Sequence, residues 1–301
     1  MNFVFPLLAV LIWSINAVVS KMSASAIDPA AISFYRWLIA LLVLAPFVLP
    51  GVWRHRQQIA RVWWKLLILG LLGMVLYQSL AYFAAHSVSA LFMGILNALI
   101  PLLTVLLSIV ILRLAPTLGI LLGSVLSFGG LVWLVSRGDP AQLLMHGMGK
   151  GELMMFAAST SYALYGVLTK RWAIPLPNWQ SLWMQILFGV LLLTPGFLLA
   201  PDVSLNMHNI PLVLFAAIPA SIIAPFLWIQ GVMRLGASTT SIFMNLAPVF
   251  TAIIAVGFLH ESLHDWHFIG GGITLLGVIL AQQLRTPLKR SRRVAETEAG
   301  Q

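Results

Sequence analysis

Three residues near the end of the chain have the spacing of a zinc-binding motif. His260, Glu261 and His264 match the pattern H-E-x-x-H, which on a helix places two imidazoles on one face for zinc and uses the glutamate as a general base. His267 offers a third ligand. The motif raises the hypothesis of a membrane metalloprotease, or of incidental metal binding. Because it falls at a turn between two apolar segments, and the last segment adds no acid, we expect no metal, no cofactor and no catalytic residue.

Arg36 is the one charged residue well inside an apolar segment. It follows Pro29 by seven residues, or about 10 Å along a helix at 1.5 Å per residue. A buried guanidinium needs partners, and no apolar segment supplies an acid at that depth. Either Arg36 binds a carboxylate or phosphate of a solute, or it reaches outward to carbonyls, headgroups, Asp28 or Glu261. The lack of embedded acids leaves facilitated efflux, exchange and indirect proton coupling open.

Polar and aromatic residues recur at mid-depth in the apolar segments. Trp13, Asn16 and Ser20 have the spacing of one helix face. Unsatisfied polar atoms are costly in hydrocarbon, so such residues face a cavity that suits an amphipathic solute, or they hydrogen-bond between helices and form interfacial belts. We predict the cavity. The predicted substrate-binding residues are Trp13, Asn16, Arg36, Gln78, Tyr82, Asn97, Pro101, Tyr162, Tyr165, Trp228, Gln230, Asn245 and Pro248.

The composition indicates which elements must position these residues. Of the 301 residues, 60% are apolar and 8% are charged, against roughly 45–50% and about 25% in soluble domains. No soluble core could bury so much apolar surface. The net charge of +9 therefore indicates contact with lipid headgroups and not with nucleic acid, and the absence of cysteine excludes disulfides.

Breaks at proline, glycine and charge clusters divide the chain into ten apolar runs, each close to the roughly 20 residues that span a bilayer. The first run has no basic region before it and is expected to be a retained helix, not a signal peptide. The runs lie near 3–21, 30–49, 66–86, 90–112, 117–135, 151–169, 180–199, 211–234, 239–259 and 266–284.

The basic residues predict how these runs are oriented. With the N-terminus inside, thirteen of the seventeen Lys and Arg lie in inner segments, and three, Lys21, Arg137 and Lys150, lie in outer ones. Cytoplasmic loops are enriched in Lys and Arg. We therefore expect a multi-pass protein of the cell inner (plasma) membrane with both termini in the cytoplasm.

The chain contains an internal repeat. Lys21 and Lys170 end the first and sixth runs, 149 positions apart, and Pro101 and Pro248 lie 147 apart in the fourth and ninth runs. Glycines of the fifth run lie 147 positions before glycines of the tenth run, the same offset as that of the two prolines. Since each half has five helices, the second enters the membrane from the opposite side, and the repeats are inverted. Such repeats place a solute site near the midplane, beside Pro-containing helices, and permit alternating access.

Several of these features together resemble the drug/metabolite transporter superfamily, specifically its EamA type, to about residue 284. They are Lys21 after a Trp-containing run, Arg36, the two repeat-related prolines, the glycine-rich fifth and tenth runs, and the segment 257–263. In that segment His260 stands where the family's recurring Gly-Glu motif has glycine. The resemblance implies an exporter of amino acids, their derivatives, nucleosides, drugs or other metabolites.

We therefore predict an all-α integral membrane protein of ten transmembrane helices in two inverted five-helix repeats. The repeats are residues 1–137 and 151–284, joined by an outer linker, 138–150, and followed by a cytoplasmic tail, 285–301. The expected function is secondary export of small organic metabolites by alternating access. A non-transporting membrane scaffold is a further alternative. The expected partners are the lipid bilayer and a small solute, with the chain as monomer or homodimer.

Overall fold

The computed structural model describes residues 2–113, 115, 117–141, 148–236, 240 and 243–284, which form helices and loops and no β-sheet. An all-helical protein is confirmed. Each helix corresponds to one of the runs expected from the sequence. The helices of the described residues are α1 Val4–Ser23, α2 Pro29–Arg54, α3 Arg56–Ala84, α4 Ala90–Ile111, α5 Leu118–Val135, α6 Lys150–Trp172, α7 Asn178–Leu199, α8 Ile210–Leu235, α9 Phe243–Leu259 and α10 Asp265–Gln283.

Seven helices of the described residues, α1 to α5, α7 and α8, are long and apolar enough to cross a membrane. Helix α9 is apolar but shorter. Helix α6 carries Lys and Arg in its last turn and a central Ser-Thr-Ser sequence. Helix α10 begins with acidic and histidine residues. These polar residues lower mean hydropathy without interrupting the backbone hydrogen bonds of the helix.

Helices α2 and α3 extend beyond the apolar runs that predict them. Helix α2 continues to Arg54, and α3 begins at Arg56, ten residues before the predicted start. Arginine and lysine are good helix formers, so the helix persists where hydropathy falls. The exposed Trp53 and Trp64 lie at these ends, each beneath a cation, as expected of aromatic residues at headgroup depth.

The described helices form two compact units. The larger comprises residues 1–100 and 148–263. One apolar core of this unit lies between α2, α3 and α7 and includes Trp37, Leu44, Met74, Trp183 and Ile186. Helix α1 packs on α8 and α9, and α6 packs on the end of α3. The repeat relates these two arrangements, since α1 corresponds to α6 and α8 to α3.

The smaller unit comprises residues 101–147 and 264–301, and within its described part α5 and α10 pack closely. Their backbones approach at Gly123 and Gly277, where an added Cβ would contact the facing backbone. Ser127 Oγ donates to the Thr274 carbonyl at 2.9 Å. Small residues and inter-helix hydrogen bonds are the usual means of helix association in lipid.

Candidate functional site

Helices α3 and α8 each contain one widened turn at a corresponding position. In α3 the turn spans Leu71–Leu76, and the amide of Tyr77 donates to the carbonyl of Leu72, five residues earlier. In α8 the turn spans Pro219–Ile223 and closes over the same separation. An α-helix closes over four residues, so both are π-helical turns with one extra residue. They begin 148 residues apart, at the same place in the two halves.

The two turns have different local causes. In α8, Pro225 has no amide to bond the carbonyl four residues earlier, and its ring crowds that carbonyl. In α3, two glycines allow neighbouring helices to approach. A Cβ at Gly70 would lie 2.5 Å from the carbonyl oxygen of Gln185, and one at Gly73 would lie 3.0 Å from the ring of Tyr165. Backbone chemistry thus favours the turn in one half, and close packing accommodates it in the other.

One carbonyl of each turn accepts a hydrogen bond from the opposite half of the chain. The hydroxyl of Ser161 on α6 donates to Leu72 O at 2.9 Å. The indole of Trp13 on α1 donates to Ala220 O at 3.2 Å. Leu72 and Ala220 are themselves 148 residues apart. Leu72 O also accepts the amide of Tyr77, so the serine bond is a second one, and in both halves a side chain ties the π turn to a helix of the opposite half.

Two consecutive residues of α2 each contact one of the two turns. Trp37 Nε1 donates to Met74 O at 2.9 Å in the α3 turn. Arg36 Nε donates to Ser221 Oγ at 2.7 Å in the α8 turn. Ser221 in turn donates to the carbonyl of Ala216 at 2.7 Å. Helix α2 therefore connects the two π turns through side chains alone.

The guanidinium of Arg36 lies in a closed polar cluster. Arg36 is 3% exposed, and its Nη1 donates to Gln78 Oε1 at 2.8 Å and to Tyr82 OH at 3.2 Å. These partners are neutral, and in the described part of the chain no carboxylate pairs with the guanidinium. Asp28 and Glu261, the acids considered from the sequence, accept backbone amides instead. Oriented oxygens thus solvate the charge of Arg36.

Two aromatic groups lie where α6 meets α3 and where α1 meets α8. The ring centroids of Tyr77 and Tyr162 are 4.6 Å apart, and those of Tyr162 and Tyr165 are 5.4 Å apart. Where α1 meets α8, the centroids of Trp13 and Trp228 are 5.5 Å apart. All five side chains are partly exposed, unlike the guanidinium. Trp13 and Tyr162 are related by the 149-residue offset, and each aromatic group combines residues from both halves of the chain.

Two amides accompany the aromatic residues. The hydroxyl of Tyr77 donates to Asn97 Oδ1 at 3.3 Å. Asn16 Oδ1 is shielded from solvent and has no hydrogen-bond partner among the described residues. An unsatisfied buried acceptor is unfavourable, so this oxygen suits a donor on a bound solute.

The remaining predicted residues have other surroundings. Gln230 accepts from Arg234 Nη2 at 3.4 Å. Gln230 and Trp228 are two residues apart and therefore face different sides of α8. Asn245 lies in the 3₁₀ turn that begins α9, and Pro248 is buried two residues beyond that turn. Pro101 belongs to the smaller unit. Among the described residues, no hydrogen bond or ring contact joins Gln230 or Asn245 to the aromatic groups.

Four residues of these contacts were not predicted from the sequence. They are Trp37, Tyr77, Ser161 and Ser221. The sequence predicted that Gln78 and Tyr82 face the solute cavity, whereas they bind Arg36 of α2, and the neighbouring Tyr77 faces α6. Tyr77 could have been found from the sequence only because it directly precedes the predicted residue Gln78. Serine in a membrane helix is too common to have identified Ser161 or Ser221.

The H-E-x-x-H residues lie in the loop between α9 and α10 and not on a helix. The carboxylate of Glu261 accepts the amides of Ala90 and Leu91, at 2.8 and 3.1 Å, at the start of α4. His264 and His267 form a reciprocal cap at the start of α10. Within the described residues, no three His, Cys, Asp or Glu side chains are grouped for a metal.

Comparison with known proteins gives a consistent result. The model of the EamA-like transporter family matches the chain twice, over residues 3–136 and 149–282. The chain is 27% identical over 270 residues to the uncharacterized transporter YyaM of Bacillus subtilis, with 87% of each chain covered. It is 26% identical over 278 residues to an uncharacterized transporter of Archaeoglobus fulgidus, covering 91% of this chain and 94% of the relative.

Two further similarities extend over nearly the full length. Protein PecM of Dickeya dadantii is 25% identical over 295 residues, covering 96% of this chain and 94% of PecM. A solved structure described as "Crystal structure of protein" aligns with a TM-score of 0.62 at 19% identity, covering 96% and 98% of the two chains. That likeness concerns the fold alone.

Proposed function

Because the chain belongs to the EamA-like transporter family, whose model matches both halves, we propose that it is a secondary transporter that exports small organic metabolites. Amino acids, their derivatives and related amphipathic solutes are the proposed class. The protein is a multi-span membrane protein of the drug/metabolite transporter superfamily. The proposed mechanism is alternating access, in which the two repeats rock about a solute held between them.

The observation that carries this proposal is the pair of partly exposed aromatic groups, which accompany a buried cation in the same helices' interior. Tyr77, Tyr162 and Tyr165 form one group, and Trp13 and Trp228 form the other. Aromatic walls with a few polar groups suit the apolar part of an amphipathic solute. A bare inorganic ion would gain little from them.

The polar groups around the aromatic rings favour a particular solute chemistry. Asn16 offers an acceptor without a partner, and Asn97 offers an amide already oriented by a tyrosine hydroxyl. Arg36 adds positive potential from behind a layer of neutral oxygens. In a medium of low dielectric constant this potential extends over several ångströms. We propose that it favours solutes with a carboxylate or phosphate.

The proposed location is the cell inner membrane, with both termini in the cytoplasm. The bias of Lys and Arg toward inner segments supports this orientation. A reporter that works only in the cytoplasm should be active when it is fused after residue 301. A reporter that works only outside the cytoplasm should be inactive at the same position. The opposite pattern would reject the orientation.

The test of transport combines metabolite profiling with flux in liposomes. Medium from overexpressing and deleted cells is compared, and the solutes that differ most are tested in counterflow with purified protein. Trp13→Ala and Tyr165→Ala each remove a ring from one aromatic group and should lower flux roughly tenfold, equivalent to ~1.4 kcal/mol.

Trp53→Ala is the matched control, because this tryptophan is 72% exposed at the end of α2 and should leave flux unchanged. Arg36→Ala should abolish transport of anionic solutes while the protein still inserts. Normal flux in all three site variants would show that the solute does not use this site. The absence of any solute gradient or counterflow would favour a non-transporting scaffold.

A further inference from the structure

The π turn of α3 directly precedes two residues of the aromatic and polar groups. Tyr77 follows the turn immediately and its ring contacts that of Tyr162, and Gln78 accepts from Arg36. A π turn holds one residue more than the α-helical turn that would replace it. If it regularises, the segment after it rotates by about 100°, the angle of one residue. That rotation moves Tyr77 off Tyr162 and Gln78 off Arg36.

The sequence around the turn permits this change in α3 and opposes it in α8. Residues 66–84 contain no proline, so every backbone amide needed for a regular α-helix is present. In α8, Pro219 begins the corresponding turn and Pro225 follows it by two residues. Neither can donate a backbone hydrogen bond. The prolines therefore oppose a regular helix in α8, whereas the sequence of α3 is compatible with both the π and the regular α-helical conformations.

Ser161 is placed to stabilise one of these conformations. Its hydroxyl donates to Leu72 O, the same carbonyl that accepts the five-residue bond from Tyr77. In a regular helix that carbonyl would accept from residue 76. Ser161 lies on α6, in the opposite half of the chain, so its bond also couples the turn to the helix that carries Tyr162 and Tyr165.

We infer that the π turn of α3 is a two-state hinge, latched by Ser161 from the opposite repeat, that turns Tyr77 and Gln78 between two access states of the solute site. The inference rests on the proposed function for its consequence, transport, but the hinge is measurable without a solute. Ser161 is a positioning residue in this scheme, since it contacts the backbone of the turn and not the solute.

The absence of cysteine from the chain makes a single reporter possible. Ser79→Cys introduces one thiol just beyond the turn, at a hydroxyl that has no partner in the described residues. Sealed vesicles of each orientation are treated with a membrane-impermeant thiol reagent. The ratio of the two labelling rates reports which side the segment faces.

Ser161→Ala in this background removes the latch. We expect the labelling ratio to change by about fivefold, the factor that corresponds to ~1 kcal/mol for one hydrogen bond. Ser161→Thr keeps the hydroxyl and should restore the parent ratio. Ser159→Ala is the control, because Ser159 is a buried serine of the same helix whose hydroxyl donates to Leu96 O at 3.4 Å, a carbonyl of α4 outside the π turn.

The outcomes separate the hinge from the proposed function. If the labelling ratio changes in Ser161→Ala alone and no variant shows counterflow, the hinge is supported and transport is rejected. Counterflow in all variants, with Ser161→Ala indistinguishable from Ser159→Ala in labelling, rejects the hinge and leaves transport standing. An equal shift in both serine variants also rejects it.

Hydrogen exchange on the unaltered protein tests the hinge without any substitution. Amides of Leu71–Leu76 should exchange about tenfold faster than those of residues 220–223 in the α8 turn, because only the first turn opens locally. Equal protection of the two turns would overturn the inference.

Discussion

Replacing Glu261 by glutamine should destabilise the protein through the start of α4. The two carboxylate oxygens accept the amides of Ala90 and Leu91, and Ser89 Oγ accepts the amide of the third residue, Phe92. These are amides that have no partner within the helix itself. Glu261→Gln keeps the shape of the side chain, removes its negative charge and turns an NH₂ group toward one of the amides.

The expected magnitude follows from two effects. A negative charge at a helix N-terminus contributes ~0.3–1 kcal/mol, and up to ~2 kcal/mol when partly buried. A hydrogen bond to a charged group contributes ~1.5–3 kcal/mol. Because one oxygen remains as an acceptor, we expect a loss of about 2 kcal/mol. At about 2–4 °C per kcal/mol for a chain of this size, the melting temperature should fall by about 4–8 °C.

The assay is thermal unfolding of purified protein in detergent, with Glu152→Gln as the control. Glu152 lies in the first turn of α6 and accepts no backbone amide in the described part of the chain. It shares the helix-terminus charge effect and lacks the direct bonds. A melting temperature of Glu261→Gln equal to that of Glu152→Gln would refute the capping role. Glu261→Asp, too short to reach both amides, should fall between the parent and Glu261→Gln.

Three further predictions use the same measurement. His260→Gly should raise the melting temperature by about 2–4 °C, because His260 has φ +52° and only glycine adopts this conformation without a cost of about 1 kcal/mol; a lower value would contradict the strain. Gly123→Ala should lower the free energy of unfolding by about 1–3 kcal/mol, because the added methyl group pushes α5 away from α10. Gly129→Ala, with nothing within 4 Å of an added Cβ, should raise it by up to about 1 kcal/mol. Equal effects of the two substitutions would reject the close packing. A chelator should leave melting and flux unchanged, since both Glu261 oxygens bind amides; a loss restored by zinc would establish a metal site.

Much of the architecture could be predicted from the sequence because it depends on local averages and fixed offsets. The mean hydropathy of a segment depends only on its own residues, so the ten apolar runs could be located from the sequence, and they correspond to the ten helices of the described residues. The 147 to 149-residue offsets follow from duplication and relate Trp13 to Tyr162. The resemblance to a transporter family is confirmed by a family model that matches both halves. The helix ends were less predictable, since α3 continues through Arg61 and Lys65, which hydropathy excludes.

The candidate site could be predicted only as a set of residue types. The sequence indicated polar and aromatic side chains at mid-depth, but it did not indicate which of them meet. The ring of Trp228 contacts that of Trp13, while Gln230 on the same helix pairs with Arg234. Which side chain faces a neighbour depends on the rotation of the helix about its axis.

The sequence by itself determined the membrane class, the helices, the repeat and the family. Tertiary structure decided the partners of Arg36, which lie 42, 46 and 185 residues away, and the bond between Glu261 and Ala90, 171 residues apart. It also decided the π turns, one of which occurs in a stretch without proline. Hydropathy is a sum that is insensitive to rotation, whereas a hydrogen bond requires two groups within about 3 Å, and one extra residue in a turn rotates every side chain beyond it.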